Sequence, residues 1–269
     1  MVSLLKRQMY VGLTALAGDK DGLVTLPVLF GPGRGMRLKL RLTSMSEGSM
    51  LVGRYEPAIA RAFSQLVQPG WVVWDCGAFI GYYSLLFSRL VGPTGTVIAF
   101  EPDPTNYWRT EENRKLNGAE NIQVVRLALG SSREDLAFVA THDQTSHLAD
   151  TYVGNGQPTG NEVLDPSTII RVKCLTPDDA YLQHAFALPN FIKFDLEGAE
   201  TQALVNMRRI VEMARPILAV ELHNPEADAA MWKFAETFGY RLKSLVTGAV
   251  ANSAADASSL RICLATPVE

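Results

Sequence analysis

Short apolar runs alternate with stretches of helical periodicity along most of the chain. Residues 71–74 form an apolar run that ends at Asp75. A helical repeat follows, carried by Ile80, Tyr83, Phe87 and Leu90. The Gly-Pro pair at 92–93 ends this helix, and residues 96–100 form the next apolar run. This order predicts a βαβ unit whose two strands are parallel.

The same alternation continues to the C-terminus and predicts a doubly wound α/β fold. Five further core strands are predicted, at residues 122–127, 191–194, 217–220, 240–246 and 260–265. Helices are expected at about 56–67, from Asp103 to Asn117-Gly118, between 194 and 217, and after Pro225. The result is a mostly parallel, Rossmann-like sheet of seven strands with helices between the first six. The last two strands are expected to form an antiparallel hairpin at one edge.

Some segments lie outside this core pattern. Residues 1–52 are predicted to be an N-terminal extension, with an amphipathic helix near its start and a β-rich part at 23–42. Residues 53–269 are predicted to be the main domain. Within it, an added strand is expected at 136–140. The polar segment 141–168, rich in Gly, Asn, Thr and Pro, is predicted to be a lid or insert.

The glycine turn after the first core strand carries the first candidate chemistry. Gly77 and Gly81 stand in a D-x-G-x-x-x-G pattern that begins at Asp75, so the backbone can approach a ligand closely. Glu101, just past the next strand, can accept hydrogen bonds from both hydroxyl groups of a ribose. The pairing of turn and acid favours a nucleoside-type cofactor over a turn that binds nothing.

Two features of the glycine turn argue against a dinucleotide. The G-x-G-x-x-G pattern needs a glycine where this turn has none, and Phe79 occupies crowded space. Asp75 would also place a negative charge beside a pyrophosphate. A cofactor with an ammonium and a sulfonium group suits Asp75 better, and S-adenosyl-L-methionine has both. That cofactor is predicted here, and an NAD(P)-dependent oxidoreductase is the alternative.

Composition and charge narrow the class of protein. The chain has 269 residues, 47% of them hydrophobic, which is enough for one large core. Its net charge of −3 gives no reason to expect a nucleic-acid partner. The three cysteines are far apart and odd in number, which favours a reduced compartment. No apolar run approaches the ~18 residues of a membrane span.

The predicted cofactor also bears on the N-terminus. A Lys-Arg pair and an Ala-Leu-Ala sequence there loosely imitate a signal peptide. Because S-adenosyl-L-methionine is made and used in the cytoplasm, we favour the amphipathic helix and a cytoplasmic enzyme. The sequence leaves the oligomeric state open, a homo-oligomer included.

Four acids fall at the ends of predicted strands. They are Asp75, Glu101, Asp195 and Glu221. Each alone has a structural explanation, as a helix cap or a solvated turn. Ligands of open α/β sheets bind at the carboxyl ends of the strands, so four acids along this edge predict a site there.

Five ordered motifs give the chain a specific resemblance. The segment IKFDLEGAE at 192–200, followed by a strand ending in E-x-H at 221–223, resembles the hallmark of FkbM-type S-adenosyl-L-methionine-dependent methyltransferases. The sequences GRYE at 53–56, VVWDCGAFIGYYS at 72–84 and FEPDPTNY at 100–107 agree with it. The resemblance covers about residues 50–245. It departs at Ala78-Phe79, where relatives commonly have Ala-Asn.

The resemblance implies a class I methyltransferase fold and transfer of a methyl group to a hydroxyl of a small molecule. Such acceptors include sugars, glycans and polyketide-type metabolites. It implies a cofactor site made of Tyr55, Glu56, Asp75, Gly77, Ala78, Phe79, Gly81, Glu101, Pro102, Ala128 and Asp195. Within it, Glu101 is expected to take the ribose, Asp75 and Gly77 the methionine end, and residues 126–128 the adenine.

The candidate catalytic residues are His223, Asp195, Glu197 and Glu221. His223 is either the base that removes the acceptor proton, titrating near its ordinary pKa, or a histidine that caps the following loop. Asp195 and Glu221 could instead hold a divalent cation, but their spacing is not diagnostic and no metal is predicted. A catalytically degenerate fold that serves as a binding protein is a further alternative, against which the intact acids argue.

Overall fold

The computed structural model describes residues 18–19, 21–131, 135–140, 146–148 and 169–268. The strands in chain order are β1 (Val24–Pro27), β2 (Arg37–Leu40), β3 (Val72–Cys76), β4 (Thr96–Phe100), β5 (Ile122–Val125), β6 (Ala128–Leu129), β7 (Asp135–Val139), β8 (His147–Leu148), β9 (Ile169–Leu175), β10 (Phe191–Phe194), β11 (Ile217–Glu221), β12 (Tyr240–Ser244) and β13 (Ile262–Pro267). The helices are α1 (Met45–Leu51), α2 (Pro57–Leu66), α3 (Tyr82–Val91), α4 (Pro104–Leu116), α5 (Pro177–His184), α6 (Glu200–Val205), α7 (Arg208–Ala214), α8 (Pro225–Phe238) and α9 (Ala254–Ala257).

A seven-stranded sheet forms the centre of the described fold. Its order is β12-β13-β11-β10-β3-β4-β5, and all of its strand pairs are parallel except the two that β13 forms with β11 and β12, which are antiparallel. The predicted mostly parallel α/β sheet, with its antiparallel C-terminal pair, is therefore confirmed. The carboxyl ends of β3, β4, β10 and β11 meet at one edge because these strands are parallel.

The C-terminal hairpin lies at one edge of the sheet, as predicted. Strand β13 lies between β11 and β12, so the last strand of the chain pairs with β11 and β12 forms the edge. The side chains of β13 explain this position, because Cys263, Leu264 and Ala265 are all buried. A strand that is apolar on both faces suits the interior of a sheet.

The helical predictions hold with one correction. Helix α4 begins after Asp103, whose carboxylate accepts hydrogen bonds from two backbone N–H groups, and ends at Asn117 as predicted. The single helix expected between β10 and β11 is instead divided into α6 and α7. Asp178 explains the break, because its carboxylate accepts the backbone N–H groups of Arg209 and Ile210 and so caps α7.

The β-rich part of the N-terminal extension packs directly on the main domain. Strands β1 and β2 pair antiparallel, and Leu38, Leu40 and Met50 share one core with Tyr82 and Leu86 of α3. The amphipathic helix predicted near the start of the chain lies outside the described residues.

A second sheet carries the predicted insert. Its order is β6-β9-β7-β8, and β7 confirms the added strand expected at 136–140. Of the predicted lid at 141–168, residues 146–148 are described and the others lie outside the described residues. Among the helices that the structure describes, none has the length and apolar character needed to cross a membrane.

A buried ion pair joins α1 to α4, and we expect its loss to weaken the fold. Glu47 is 1% exposed and accepts hydrogen bonds from both terminal nitrogens of Arg109 and from the backbone N–H of Arg41. A Glu47→Gln variant should lower the free energy of unfolding by about 1.5–3 kcal/mol, because hydrogen bonds to a charged group are lost. Urea denaturation measures this change.

Glu112→Gln provides the control for the Glu47 variant. Glu112, also on α4, pairs with Lys39 of β2, but its side chain is 49% exposed. Its replacement should change stability by less than about 0.5 kcal/mol. Equal unfolding midpoints for the two variants would contradict a structural role for the buried pair.

Candidate active site

A cavity lies at the carboxyl ends of β3, β4 and β10. Eight of the predicted cofactor residues line it: Tyr55, Gly77, Ala78, Phe79, Glu101, Pro102, Ala128 and Asp195. The lining also includes side chains to which the sequence analysis assigned no role, among them Met50, Asn106, Leu129 and Lys193. The cavity therefore brings together the glycine turn, the end of β4 and the end of β10.

The glycine turn is held tightly in place by its backbone. Gly77 and Ala78 both donate their N–H groups to the carbonyl of Phe100, at 3.0 Å each. Gly77 has φ +84°, and a Cβ at this position would overlap the carbonyl oxygen of Asp195. Only glycine fits here, because the conformation is left-handed and the β10 end lies directly against it.

Phe79 occupies the position where a dinucleotide turn would have a glycine. It has φ +53°, a left-handed conformation that is uncommon for a bulky residue. Its N–H donates to Glu101 at 2.8 Å, and its carbonyl accepts from the hydroxyl of Thr110 at 2.7 Å. These two hydrogen bonds stabilise an otherwise unfavourable backbone and fix the turn relative to Glu101.

Glu101 lies at the bottom of this arrangement and is 4% exposed. Its two oxygens accept the N–H groups of Phe79 and Asp103, at 2.8 and 2.9 Å. Burial raises the pKa of Glu101 to about 8, although these N–H donors offset part of the effect. A buried carboxylate that lines the cavity has lone pairs available for the hydroxyl groups of a ligand.

Three predicted cofactor residues are not among the lining of the cavity. Asp75 is fully buried behind the turn, where it accepts a hydrogen bond from Ser84 at 2.6 Å. Glu56 accepts a hydrogen bond from the hydroxyl of Tyr83 at 2.6 Å, and Gly81 begins α3 against the side chain of Thr110. None of the three is therefore part of the described lining of the cavity.

Lys193 is a central residue that the sequence analysis missed. Its Nζ donates to Asp195 at 3.1 Å and to the carbonyl of Gly77 at 3.2 Å, and lies 3.6 Å from Asp75. Burial would lower the pKa of Lys193, but the charges of Asp195 and Asp75 raise it overall. The signal in the sequence is a lysine inside an otherwise apolar strand, since a buried charge needs partners.

Glu200 is the second missed residue, and it organises the loop after β10. Its fully buried carboxylate accepts the N–H groups of Leu196 and Gly198, at 2.8 and 3.1 Å. It also lies 2.9 Å from Nδ1 of His223. Because a carboxylate accepts, Nδ1 carries the hydrogen and Nε2 is directed away from Glu200.

All four predicted catalytic side chains lie close together, and two of them, Asp195 and Glu197, line the cavity. Strands β10 and β11 are adjacent and parallel, so the loops that follow them lie side by side. Nε2 of His223 is 3.7 Å from Glu197, 3.8 Å from Asp195 and 4.0 Å from Glu221. These four residues are called the acceptor cluster below.

The charges in the acceptor cluster change the acidity of its members. Burial raises the pKa of Glu197 to about 7, and the charge of Asp195 adds to the effect. Burial would lower the pKa of His223, but the hydrogen bond to Glu200 and the surrounding carboxylates raise it to about 9. The expectation that His223 titrates near its ordinary pKa is therefore wrong for the free protein.

Comparison with known proteins identifies the family. Residues 75–242 match the family model of the Methyltransferase FkbM domain. The chain belongs to the FkbM methyltransferase family. The matched region of this FkbM chain begins at Asp75 and ends within β12. It therefore contains the glycine turn, Glu101 and the whole acceptor cluster.

Several individual proteins are similar to this FkbM chain. The hexuronic acid methyltransferase AglP of Haloferax volcanii is 25% identical over 170 residues, which cover 63% of each chain, so the match spans less than two thirds of AglP. The crystal structure of a methyltransferase FkbM from Methylobacillus flagellatus is 18% identical, with 79% of this chain and 53% of that chain covered and a TM-score of 0.45. An Aeropyrum pernix fibrillarin with bound S-adenosyl-L-methionine is 13% identical, with coverage of 77% and 72% and a TM-score of 0.43.

Proposed function

We propose that this chain is an S-adenosyl-L-methionine-dependent O-methyltransferase that methylates a hydroxyl group of a sugar-type molecule. The observation that carries the proposal is the placement of the acceptor cluster beside a cavity that contains the glycine turn and Glu101. Membership of the FkbM family supports methyl transfer. The similarity to AglP, a hexuronic acid methyltransferase, supports a sugar acceptor.

The lining of the cavity supports a definite orientation of the cofactor. Glu101 accepts the ribose hydroxyl groups, and Leu127 and Ala128 cover the adenine. The methionine end lies along Gly77 and Ala78, with Asp195 beside it. This orientation directs the sulfonium methyl group toward the acceptor cluster. Asp75 acts indirectly in this scheme, because it holds Lys193 and Ser84 behind the turn.

The reaction itself demands alignment and removal of a proton. The acceptor oxygen attacks the methyl carbon, a C–O bond forms, the S–C bond breaks, and the hydroxyl proton passes to a group of the acceptor cluster. Several carboxylate oxygens in one place can also accept hydrogen bonds from the many hydroxyl groups of a sugar. The net charge of −3 fits a small molecule better than a nucleic acid as acceptor.

Two assays distinguish the proposed methyltransferase from an NAD(P)-dependent oxidoreductase and from a catalytically degenerate fold. Isothermal titration calorimetry should detect binding of S-adenosyl-L-methionine and no binding of NAD, whereas an oxidoreductase would reverse this result. Formation of S-adenosyl-L-homocysteine with hexuronic acid glycosides separates an active enzyme from a catalytically degenerate fold. Binding without turnover on any hydroxylated acceptor would favour the degenerate fold.

At about pH 8.5, where most Glu101 side chains are ionised, replacement of Glu101 with alanine should weaken cofactor binding by about 10- to 150-fold. This range corresponds to the ~1.5–3 kcal/mol of hydrogen bonds to a charged group. Calorimetry with S-adenosyl-L-methionine measures the change, and Glu120→Ala, which removes an acid with an 88% exposed side chain, is the control. Equal affinity in the two variants would remove Glu101 from the site.

The raised pKa of Glu101 adds a pH arm to this test. With a pKa of about 8 in the free protein, Glu101 is largely protonated below that pH and ionised above it. The ionised form accepts hydrogen bonds from both ribose hydroxyl groups, so affinity should increase as the pH rises from about 6.5 to 8.5. The Glu101→Ala variant should lose this dependence.

A further inference from the structure

We propose that Asp195, Glu197 and His223 form a site for a divalent first-row cation, with Mn²⁺ as the best match to its donor atoms. Each residue offers one donor atom, and these three atoms lie within 4.8 Å of one another. Donor atoms around a divalent cation bound at about 2.0–2.6 Å are separated by roughly 3–5 Å, which is the spacing found here.

In Asp195 and His223, a neighbouring residue binds one polar atom of the side chain and leaves the other polar atom available to a cation. Lys193 donates to Oδ2 of Asp195, which leaves Oδ1 facing His223 at 3.8 Å. Glu200 occupies Nδ1 of His223, which leaves Nε2 facing Oε2 of Glu197 at 3.7 Å. Among the residues that the structure describes, the three atoms that face one another at the centre of the site form no other hydrogen bond.

Glu200 provides an observation that is independent of the three donors. It is fully buried, lies outside the proposed coordination sphere, and holds the far nitrogen of the His223 ring at 2.9 Å. A carboxylate at the second nitrogen of a histidine is the arrangement that orients imidazoles as metal ligands and fixes their tautomer. A histidine that merely capped a loop would not need a buried acid to aim Nε2 at two carboxylates.

The balance of charge and donor chemistry selects the kind of cation. Four carboxylates, those of Asp195, Glu197, Glu200 and Glu221, surround one imidazole, and of these only Asp195 forms an ion pair with Lys193 among the described residues. This excess of negative charge favours a divalent ion. Oxygen donors suit Mg²⁺, Ca²⁺ and Mn²⁺, and imidazole suits first-row transition metals, so a mixed set of two oxygens and one nitrogen points to Mn²⁺.

The cation would serve the acceptor half of the proposed reaction, and this catalytic part rests on the proposed function. Two hydroxyl oxygens of a sugar can fill open coordination positions, and a coordinated hydroxyl loses its proton more readily. Its proton passes to Glu221, whose Oε1 lies 4.0 Å from Nε2 of His223. The deprotonated oxygen then takes the methyl group from the sulfonium as the S–C bond breaks.

Binding of Mn²⁺ can be measured without cofactor, acceptor or turnover. Titration of the full chain with Mn²⁺, followed by the electron paramagnetic resonance signal of free Mn²⁺, should show one saturable site per chain. Asp195→Asn and His223→Gln should each weaken binding by at least tenfold. Glu200→Gln should weaken it by about 10- to 100-fold, the range for partners that orient metal ligands. The exposed carboxylate variant Glu212→Gln should bind as the wild type does.

The outcomes separate this inference from the proposed function. Absence of saturable Mn²⁺ binding, or wild-type affinity in His223→Gln, overturns the cation site even if S-adenosyl-L-methionine still binds. Mn²⁺ binding together with failure to bind S-adenosyl-L-methionine supports the cation site and rejects the proposed cofactor. Circular dichroism of each variant identifies loss of folding, and the separate Asp195 and His223 variants keep the test decisive if one of them does not fold.

Discussion

Turnover of a His223→Ala variant is expected to fall by about 10²–10⁴-fold, while affinity for S-adenosyl-L-methionine stays close to that of the wild type. His223 faces three carboxylates of the acceptor cluster through Nε2, yet it is not among the residues that line the cofactor cavity. Loss of the imidazole should therefore impair the reaction of the acceptor and leave the affinity for the cofactor nearly unchanged. The measurement is the rate of S-adenosyl-L-homocysteine formation, with calorimetry of cofactor binding alongside.

His184→Ala is the matched control for this variant. His184 is exposed and stacks on Phe186, with ring centroids 5.0 Å apart. It belongs neither to the lining of the cavity nor to the acceptor cluster. Its replacement should leave turnover unchanged. Full activity in His223→Ala would exclude the imidazole from the chemistry and leave alignment by the carboxylates as the mechanism.

A Gly77→Ala variant should lose measurable cofactor binding and about 2–5 kcal/mol of stability. The added Cβ overlaps the carbonyl oxygen of Asp195, and the backbone at φ +84° is unfavourable for alanine. Relief of the overlap requires the glycine turn and the β10 end to separate, which distorts both halves of the site. Calorimetry and thermal unfolding measure the two effects.

Gly118→Ala separates the steric effect at Gly77 from backbone strain. Gly118 also has a left-handed backbone, with φ +59°, but nothing lies within 4 Å of a Cβ built there. It should lose only about 1 kcal/mol and retain cofactor affinity. If Gly77→Ala binds cofactor as tightly as Gly118→Ala does, the contact with Asp195 is not a constraint on the site.

Local patterns were sufficient to predict most of the fold. The apolar repeat of α3 and the Asp-Pro start of α4 are signals contained within a few neighbouring residues, and both helices are where they were expected. The break between α6 and α7 was not predicted, because it depends on Asp178, more than 30 residues earlier in the chain. The interior position of β13 likewise depends on which surfaces of the sheet are already covered.

The candidate site shows the same division between local and distant information. The convergence of Asp195 and His223 follows from parallel strands whose ends share an edge, so the sequence could predict it. The ion pair between Asp75 and Lys193 and the hydrogen bond between Glu200 and His223 join residues that are distant in the sequence, so no local pattern predicts them. The shifted pKa of His223 follows from those same contacts, which is why its ordinary value was the wrong expectation.

The contacts around Lys193 have a thermodynamic consequence for the two halves of the site. Lys193 bonds both the carbonyl of Gly77, on the cofactor side, and the carboxylate of Asp195, on the acceptor side, and the backbones of these two residues touch. A ligand that shifts one of these groups is therefore expected to shift the other. Cooperativity between binding sites is reciprocal. If bound cofactor changes the affinity for the acceptor by some factor, bound acceptor changes the affinity for the cofactor by the same factor.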